Sequence, residues 1–172
     1  MKKIFALLIF TTLLNISNAQ NYEFPKGWVL NLEYFNGLTT HFNSSPELYL
    51  TELRLSPQYT LVPKVLRLGA GAGLQYNNKN VSALFGPNLA IKIKTLSIEK
   101  FNSSLLNVQW VVENLWGTDK QCLIGTGLKT EIAQTLLISL TGHRDVKLDY
   151  WRFQFGLGLN LIKIKVQEIH DL

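Results

Sequence analysis

Few side chains in this chain could do acid–base, nucleophilic or metal chemistry, and they are scattered. There are three histidines, His41, His143 and His170, and one cysteine, Cys122. His41 and His143 are expected in loops at one end of the molecule. Two histidines fall short of the three or four protein ligands that zinc takes, so no metal site is expected. We interpret these histidines as solvated loop residues and Cys122 as a small apolar side chain on a strand face.

No nucleophilic site is indicated either. Ser104, Ser139, His143 and Asp145 are the residues from which a Ser–His–Asp arrangement could be drawn, but their spacing does not define one. The glycine-rich run at 69–73 precedes no strand-to-helix junction, so it is not a phosphate-binding loop. The sequence therefore indicates no catalytic residue and no cofactor, and the chain is not expected to be an enzyme.

The dominant pattern is instead an alternation with period two. In the segment 150–161 the odd positions read Trp, Phe, Phe, Leu, Leu, Leu, and the even positions read Tyr, Arg, Gln, Gly, Gly, Asn. Side chains of a β-strand point to opposite faces in turn, so one face of this strand is apolar and the other polar or bare. An unbroken alternation of this length is typical of a tilted strand that crosses the apolar band of a membrane, about 25 Å tall.

Eight such pieces occur along the chain, separated by turn-forming residues. They span 27–38, 47–62, 64–76, 81–93, 105–116, 121–132, 134–141 and 150–161. Pro63 is expected to end the second piece, and Pro87 to force a bulge or bend in the fourth. Eight is the smallest strand number of bacterial barrels. The sequence therefore predicts an all-β fold, an eight-stranded antiparallel up-and-down transmembrane β-barrel.

The connections of this barrel are expected to be short at both ends. Turns near Pro63, at 95–102 and at Ala133 belong to the end that holds the N-terminus, which is periplasmic by the usual barrel rule. The loops at 39–46, 77–80, 117–120 and 142–148 belong to the extracellular end.

The polar faces of the strands carry charged residues that we call the lumen charge network. Its members are Glu33, Glu52, Arg54, Arg67, Glu113, Lys129, Glu131 and Arg152. A barrel of eight strands has room inside only for packed side chains, and the glycines of the same faces leave space for the long ones. Buried charges must be paired, so ion pairs are expected between adjoining strands. The expected pairs are Glu52 with Arg67, Glu113 with Lys129 and Glu33 with Arg152.

Aromatic residues near the strand ends form a predicted aromatic girdle on the outward face. Trp28 and Tyr59 are expected at one rim. Tyr34, Tyr49, Tyr76, Trp116 and Trp151 are expected at the other. Aromatic belts at both interfaces are typical of barrels that lie in lipid.

The N-terminus has the pattern of a secretory signal peptide. Lys2 and Lys3 precede an apolar run that is too short to span a bilayer. The small residues Ser17 and Ala19 follow this run and mark an expected cleavage site after Ala19. We predict a signal peptide at 1–19 and a barrel domain at 20–172. Of the 17 basic residues two leave with the signal; the remaining 15 against 12 acidic residues give a net charge of +3. That charge is too small to indicate a nucleic-acid partner.

In these features the chain resembles the small outer-membrane β-barrel proteins of Gram-negative bacteria, most closely the eight-stranded exported type seen in Bacteroidetes. The resemblance covers 20–172 as a pattern. It implies residence in the outer membrane, contact with its lipid and insertion by the barrel-assembly machinery. An unidentified envelope protein is left open as a further partner.

Three functions agree with the sequence. The first is a structural or interaction barrel at the cell surface with a packed polar lumen. The second is a narrow pore or transporter of small solutes, for which the lumen glycines would leave a path. The third is an exported soluble, lipocalin-like barrel, which would place the apolar face inside around a ligand.

Overall fold

The computed structural model describes residues 27–41, 44–63, 65–77, 80–98, 103–133 and 135–163. Within these ranges, the side chains at 41–48, 97–98, 103–105 and 162–163 are not part of the description. The predicted signal peptide at 1–19, the first residues of the predicted barrel domain at 20–26 and the segment that contains His170 lie outside the described residues.

The described part of the chain is built from eight β-strands. They are β1 Trp28–His41, β2 Ser44–Val62, β3 Leu66–Asn77, β4 Asn80–Ile98, β5 Ser103–Gly117, β6 Cys122–Ile132, β7 Leu136–Asp145 and β8 Tyr150–Lys163. Each strand follows a piece of period-two sequence. The prediction of eight strands is confirmed.

The strands close into one barrel in sequence order. Each strand pairs antiparallel with the next, and β8 pairs with β1 along most of its length, for example Tyr34 with Leu157. Closure leaves no unpaired sheet edge, which is the condition for a sheet to be stable in lipid. The predicted up-and-down antiparallel barrel is confirmed. No helix in the described residues is long and apolar enough to cross a bilayer.

Three predicted strand limits are wrong. The expected loop at 39–46 is largely strand, because β1 and β2 pair as far as His41 and Ser44. The expected turn at 95–102 is shorter, because β4 and β5 pair as far as Ile98 and Ser103. Strand β7 continues to Asp145, four residues beyond its predicted end. The ends of the β1–β2 and β4–β5 hairpins are polar, and because their period-two alternation is weaker, the sequence did not indicate strand there.

The bulge expected at Pro87 is absent. Strands β3 and β4 pair in constant register past it, and Ala70 lies opposite Pro87. The register shifts of the β4–β5 ladder lie lower, at Lys92/Lys94 and Leu96/Ser97. Pro87 instead interrupts the pairing with β5 without changing the register.

Candidate functional site in the barrel lumen

All eight residues of the lumen charge network lie inside the barrel and are buried. Glu33, Glu52, Arg54, Arg67, Glu113, Lys129, Glu131 and Arg152 each expose 4% of their surface or less. The period-two rule therefore assigned these side chains to the inward face correctly. Three inward groups were missed, namely Lys92, His143 and Asp145.

The largest group of interactions centres on Glu52 and Glu113. Glu52 accepts a hydrogen bond from Arg54 Nε at 2.7 Å and another from Arg152. The second nitrogen of the Arg54 guanidinium, Nη1, donates to Glu113 Oε2 at 2.6 Å. His143 Nε2 lies 3.1 Å from the same Glu113 oxygen. One arginine thus bridges two carboxylates, and the two chains of contacts meet in the middle of the lumen.

The Arg54 guanidinium packs against an aromatic ring, and neighbouring glycines leave the space that this packing needs. It lies 4.6 Å from the centre of the Phe35 ring, a cation–π contact. A Cβ at Gly156 would come within 2.5 Å of the Phe35 ring, so glycine is needed for the ring to lie there. A Cβ at Gly71 would lie 3.4 Å from Arg54 Cδ. The lumen glycines therefore make room for the long side chains of other strands.

A second group spans the barrel from β1 to β6 and β7. Lys129 Nζ donates to Glu33 Oε2 at 2.6 Å, and the Ser139 hydroxyl donates to Glu33 Oε1 at 2.6 Å. Both carboxylate oxygens of Glu33 are thereby satisfied, as a buried charge requires.

A third group of interactions lies nearer to the end of the barrel at which β1 begins and β8 ends. Arg67 Nη1 donates to Glu131 Oε2 at 3.3 Å, and Gln109 Nε2 donates to the same oxygen at 3.1 Å. Asn160 Nδ2 donates to Glu131 Oε1 at 2.8 Å. One arginine and two side-chain amides from different strands thus donate hydrogen bonds to a single buried carboxylate.

The charges of the described lumen balance. The buried acids are Glu33, Glu52, Glu113, Glu131 and Asp145, and the buried bases are Arg54, Arg67, Lys92, Lys129 and Arg152. Five negative and five positive groups leave a formal charge of zero inside the barrel, apart from His143. Balance of this kind lets a low-dielectric interior hold many charges.

The expected ion pairs are wrong in every case. They were Glu52 with Arg67, Glu113 with Lys129 and Glu33 with Arg152. Glu52 binds Arg54 and Arg152, Glu113 binds Arg54 and His143, and Glu33 binds Lys129. Arg67 binds Glu131. The tilt of the strands staggers the inward positions. Arg54 binds Glu52 two residues away on its own strand, and the other described buried pairs join strands that are not neighbours in the barrel.

The interpretation of His143 as a solvated loop residue is wrong. It lies on β7 with no exposed surface and contacts Glu113 in the lumen. Asp145 ends the same strand, and its Oδ1 accepts hydrogen bonds from the amides of Lys147 and Leu148, which fixes the following turn. Neither residue forms a triad with Ser139, whose hydroxyl donates to Glu33.

The remaining candidates for chemistry lie apart from one another. His41 ends β1 and Ser104 begins β5, and their side chains lie outside the description. Cys122 is half-buried at the start of β6, opposite Trp116, with no disulfide. Within the described residues, no three His, Cys, Asp or Glu side chains are placed to hold a metal ion.

The loop end of the lumen is closed by apolar side chains. Leu84, Leu115 and Leu123 are each at most 2% exposed and pack together. Beyond them, Gln121 Nε2 donates to the Tyr150 hydroxyl at 3.1 Å. Apolar side chains thus lie between the lumen charge network and the loops, and Asp145 lies at their level, opposite Leu123.

The outward face of the barrel is apolar. Large hydrophobic side chains cover it, and some are more than half exposed, such as Val81 and Leu140. The outward positions of β3 and β6, and those of β8 from Trp151 to Leu161, hold no charged side chain. The arrangement is the reverse of a soluble barrel, so the lipocalin-like alternative, with its apolar face inside, is wrong.

The aromatic girdle is placed as follows. Trp28 and Tyr59 lie opposite each other at the end of the barrel where β1 begins, and their ring centres are 5.3 Å apart. Toward the loop end of their strands lie Tyr49, Tyr76, Trp116 and Trp151, all on the outward face. Tyr34 lies instead in the middle of β1, where its hydroxyl donates to Asn36 Oδ1 at 3.3 Å.

Comparisons with known proteins bear on the fold. No protein-family model matches the chain, and no curated protein does. Among solved structures, the chain is similar to a protein from the de novo design of transmembrane β-barrels, with 15% identity and a TM-score of 0.52. That match covers 81% of this chain and all of the designed one. It is also similar to the N-terminal β-barrel domain of OprF from Pseudomonas aeruginosa, with 17% identity and a TM-score of 0.48 over 80% of this chain and 99% of that domain.

The likeness to the designed transmembrane barrel agrees with the geometry. A closed eight-stranded antiparallel barrel with an apolar outside and a polar inside is a transmembrane-type β-barrel. The fold class of the chain is therefore that of the small membrane barrels.

Proposed function

We propose that the protein is a closed barrel of the bacterial outer membrane with a structural or interaction role at the cell surface. The observation that carries this proposal is the inversion of the faces: apolar side chains point outward while ten charged side chains are buried inside. Exposure of that much apolar surface to water would be strongly unfavourable, whereas lipid accepts it.

The polar groups of the outward face support a lipid environment. The Trp110 indole donates to the Thr126 hydroxyl, which in turn donates to the carbonyl of Val111 at 2.9 Å. The Tyr49 hydroxyl donates to Asn36 Oδ1 at 2.9 Å. In a solvent without hydrogen-bonding groups, polar side chains must find such partners within the protein.

The packed lumen favours a barrel that does not conduct. A pore would need the space beside the lumen glycines to be empty, but neighbouring side chains fill it. Arg54 lies over Gly71, and Glu52 Oε1 would lie 3.1 Å from a Cβ at Gly73. Ion pairs then cross the lumen from wall to wall, as between Lys129 and Glu33. Export by a signal peptide, insertion by the barrel-assembly machinery and an unidentified envelope partner belong to the same proposal.

Conductance in planar lipid bilayers tests the closed lumen. We expect no stable single-channel current from the purified, refolded protein at moderate voltage. A conducting porin that is refolded and inserted by the same procedure serves as the control. Long-lived current steps of one size would contradict the proposal and favour the narrow pore.

A further inference from the structure

Strand β2 contains a proline that interrupts its bonding to β3. Pro57 lies inside β2, and the β2–β3 ladder keeps one register on both sides of it, which places Pro57 opposite Ala70. The amide of Thr60 donates to the carbonyl of Gly27 beside β1, so amides an even number of residues away also face β1. The nitrogen of Pro57 therefore faces β3. It has no hydrogen to donate, and the ladder loses a bond at Ala70.

Strand β4 also contains a proline, and this proline interrupts the bonding of β4 to β5. Pro87 lies opposite Asn114 in a β4–β5 ladder that keeps its register from Phe85 to Lys92. The Lys92 amide donates to the carbonyl of Val65 beside β3, so the nitrogen of Pro87 faces β5. The second missing bond therefore falls between Pro87 and Asn114.

The two interruptions lie in one row across the wall. Pro57 is opposite Ala70, Ala70 is opposite Pro87, and Pro87 is opposite Asn114. We call these four residues the proline row. Between the interruptions, β3 and β4 are paired without any register shift. The β3–β4 hairpin is thus a continuous unit whose two outer edges are weakened at the same level.

The inward face of the hairpin is weakly anchored at that level. Between Arg67 and Gln75 the inward positions of β3 are Gly69, Gly71 and Gly73, which have no side chains to bind the lumen charge network. The principal side-chain anchor near the row is Asn88, whose Oδ1 accepts from Gln58 Nε2 at 3.0 Å. Little polar contact opposes an outward movement of the hairpin here.

A groove marks the β4–β5 interruption on the outside of the barrel. It has a volume of about 250 Å³, and its apolar walls include Leu68, Leu89 and Ile124. The side-chain oxygen of Asn114 is buried there without a hydrogen-bond partner. Asn88 and Glu113, which pair with each other and carry their side chains into the lumen, also line the groove. One pair of residues separates the groove from the lumen.

We propose that the barrel wall opens laterally between Pro87 and Asn114, with the β3–β4 hairpin as the moving part. The opening connects the membrane-facing groove with the lumen at Asn88 and Glu113. It gives water and small polar molecules an entry to the lumen charge network from the side, whereas apolar side chains lie at the loop end of the lumen.

Residue-resolved amide hydrogen exchange in detergent micelles tests the opening. The amides of Asn114 and Ala70 face the interrupted positions, and those of Val112 and Leu68 face the same seams two residues away. We expect Asn114 and Ala70 to exchange at least about tenfold faster than Val112 and Leu68, because local opening is easiest where a ladder bond is missing. Equal rates along each seam would overturn the proposal.

Substitution of the prolines separates the opening from general looseness. Pro87→Ala restores a donor and should slow exchange at Asn114 to the rate of Val112, without a change at Ala70. Leu89→Ala, a loss of apolar side chain on the same face with no new donor, is the matched control and should leave Asn114 fast. If Pro87→Ala leaves Asn114 as fast as before, the missing bond is not the cause and the proposal fails.

Thiol labelling tests the connection to the lumen. Ala90 is fully buried and lies on β4 next to the groove. In a Cys122→Ser background, Ala90→Cys should react with a small water-soluble thiol reagent, and the added change Pro87→Ala should lower that rate at least about fivefold, as restoring one hydrogen bond would. An unchanged rate would show that the reagent reaches the lumen by another path.

Discussion

Neutralising Glu52 should destabilise the barrel more than any exposed acid-to-amide change. The carboxylate binds Arg54 Nε at 2.7 Å, Gln154 Nε2 at 3.1 Å and the Arg152 guanidinium, and all of these groups are buried. In Glu52→Gln the shape is kept and one negative charge is lost. Arg54 keeps Glu113 as a partner at 2.6 Å. Arg152 keeps the neutral amide oxygen of Gln75 at 2.7 Å but loses the carboxylate that it binds.

The magnitude follows from that one uncompensated cation. The described lumen changes from five acids and five bases to four and five. Removing one partner of a buried ion pair typically costs about 3–5 kcal/mol, and we expect a loss of this size in the free energy of unfolding. Asp149→Asn removes an acid from the exposed pair with Arg144 and should cost less than about 1 kcal/mol.

Urea unfolding in lipid vesicles, followed by tryptophan fluorescence, measures both variants against the wild type. The double variant Glu52→Gln/Arg152→Gln removes both charges and should recover part of the loss, so that the two single costs do not add. If Glu52→Gln unfolds like the wild type, or like Asp149→Asn, the lumen is hydrated rather than packed and the reasoning is refuted.

Three further predictions concern other parts of the barrel. His143→Ala leaves a cavity in the lumen and removes one of the two described partners of the Glu113 carboxylate, and should lower the free energy of unfolding by about 2–4 kcal/mol in the same assay, whereas a loop histidine would change it little. Gly156→Val should prevent refolding or lower the unfolding midpoint, because its side chain overlaps the ring of Phe35; Phe35→Leu in the same chain should restore part of the stability, and no rescue would contradict the close contact. Leu157→Lys puts a charge on the lipid-facing side of β8 and should cost about 2–4 kcal/mol in vesicles, while Val146→Lys in the loop should cost almost nothing; equal effects would argue against a lipid-facing β8.

The strands and their faces could be predicted because they depend on local alternation alone. A residue at an even position of 150–161 points inward wherever its neighbours lie, and Arg152 and Gln154 do so. The same rule would have found His143 and Asp145, since they continue the inward positions of Leu137 and Thr141. The polar run that follows Gly142 instead suggested a loop.

The ion pairs could not be predicted because they depend on the stagger of the whole barrel. Lys129 reaches Glu33 across the lumen, although 96 residues separate them along the chain. Arg54 bridges two carboxylates only because Phe35 and Gly156 place it between them. Such contacts are fixed by tilt, register and side-chain volume together, and a strand-by-strand reading of the sequence contains none of these quantities.

Fractionation of cells that produce the protein, followed by gel electrophoresis of unheated and boiled samples, tests the central claim most directly. A closed barrel in the outer membrane should be found in the outer-membrane fraction as a detergent-resistant folded band whose mobility shifts on boiling. A protein in the soluble fraction, with the same mobility before and after boiling, would contradict the account.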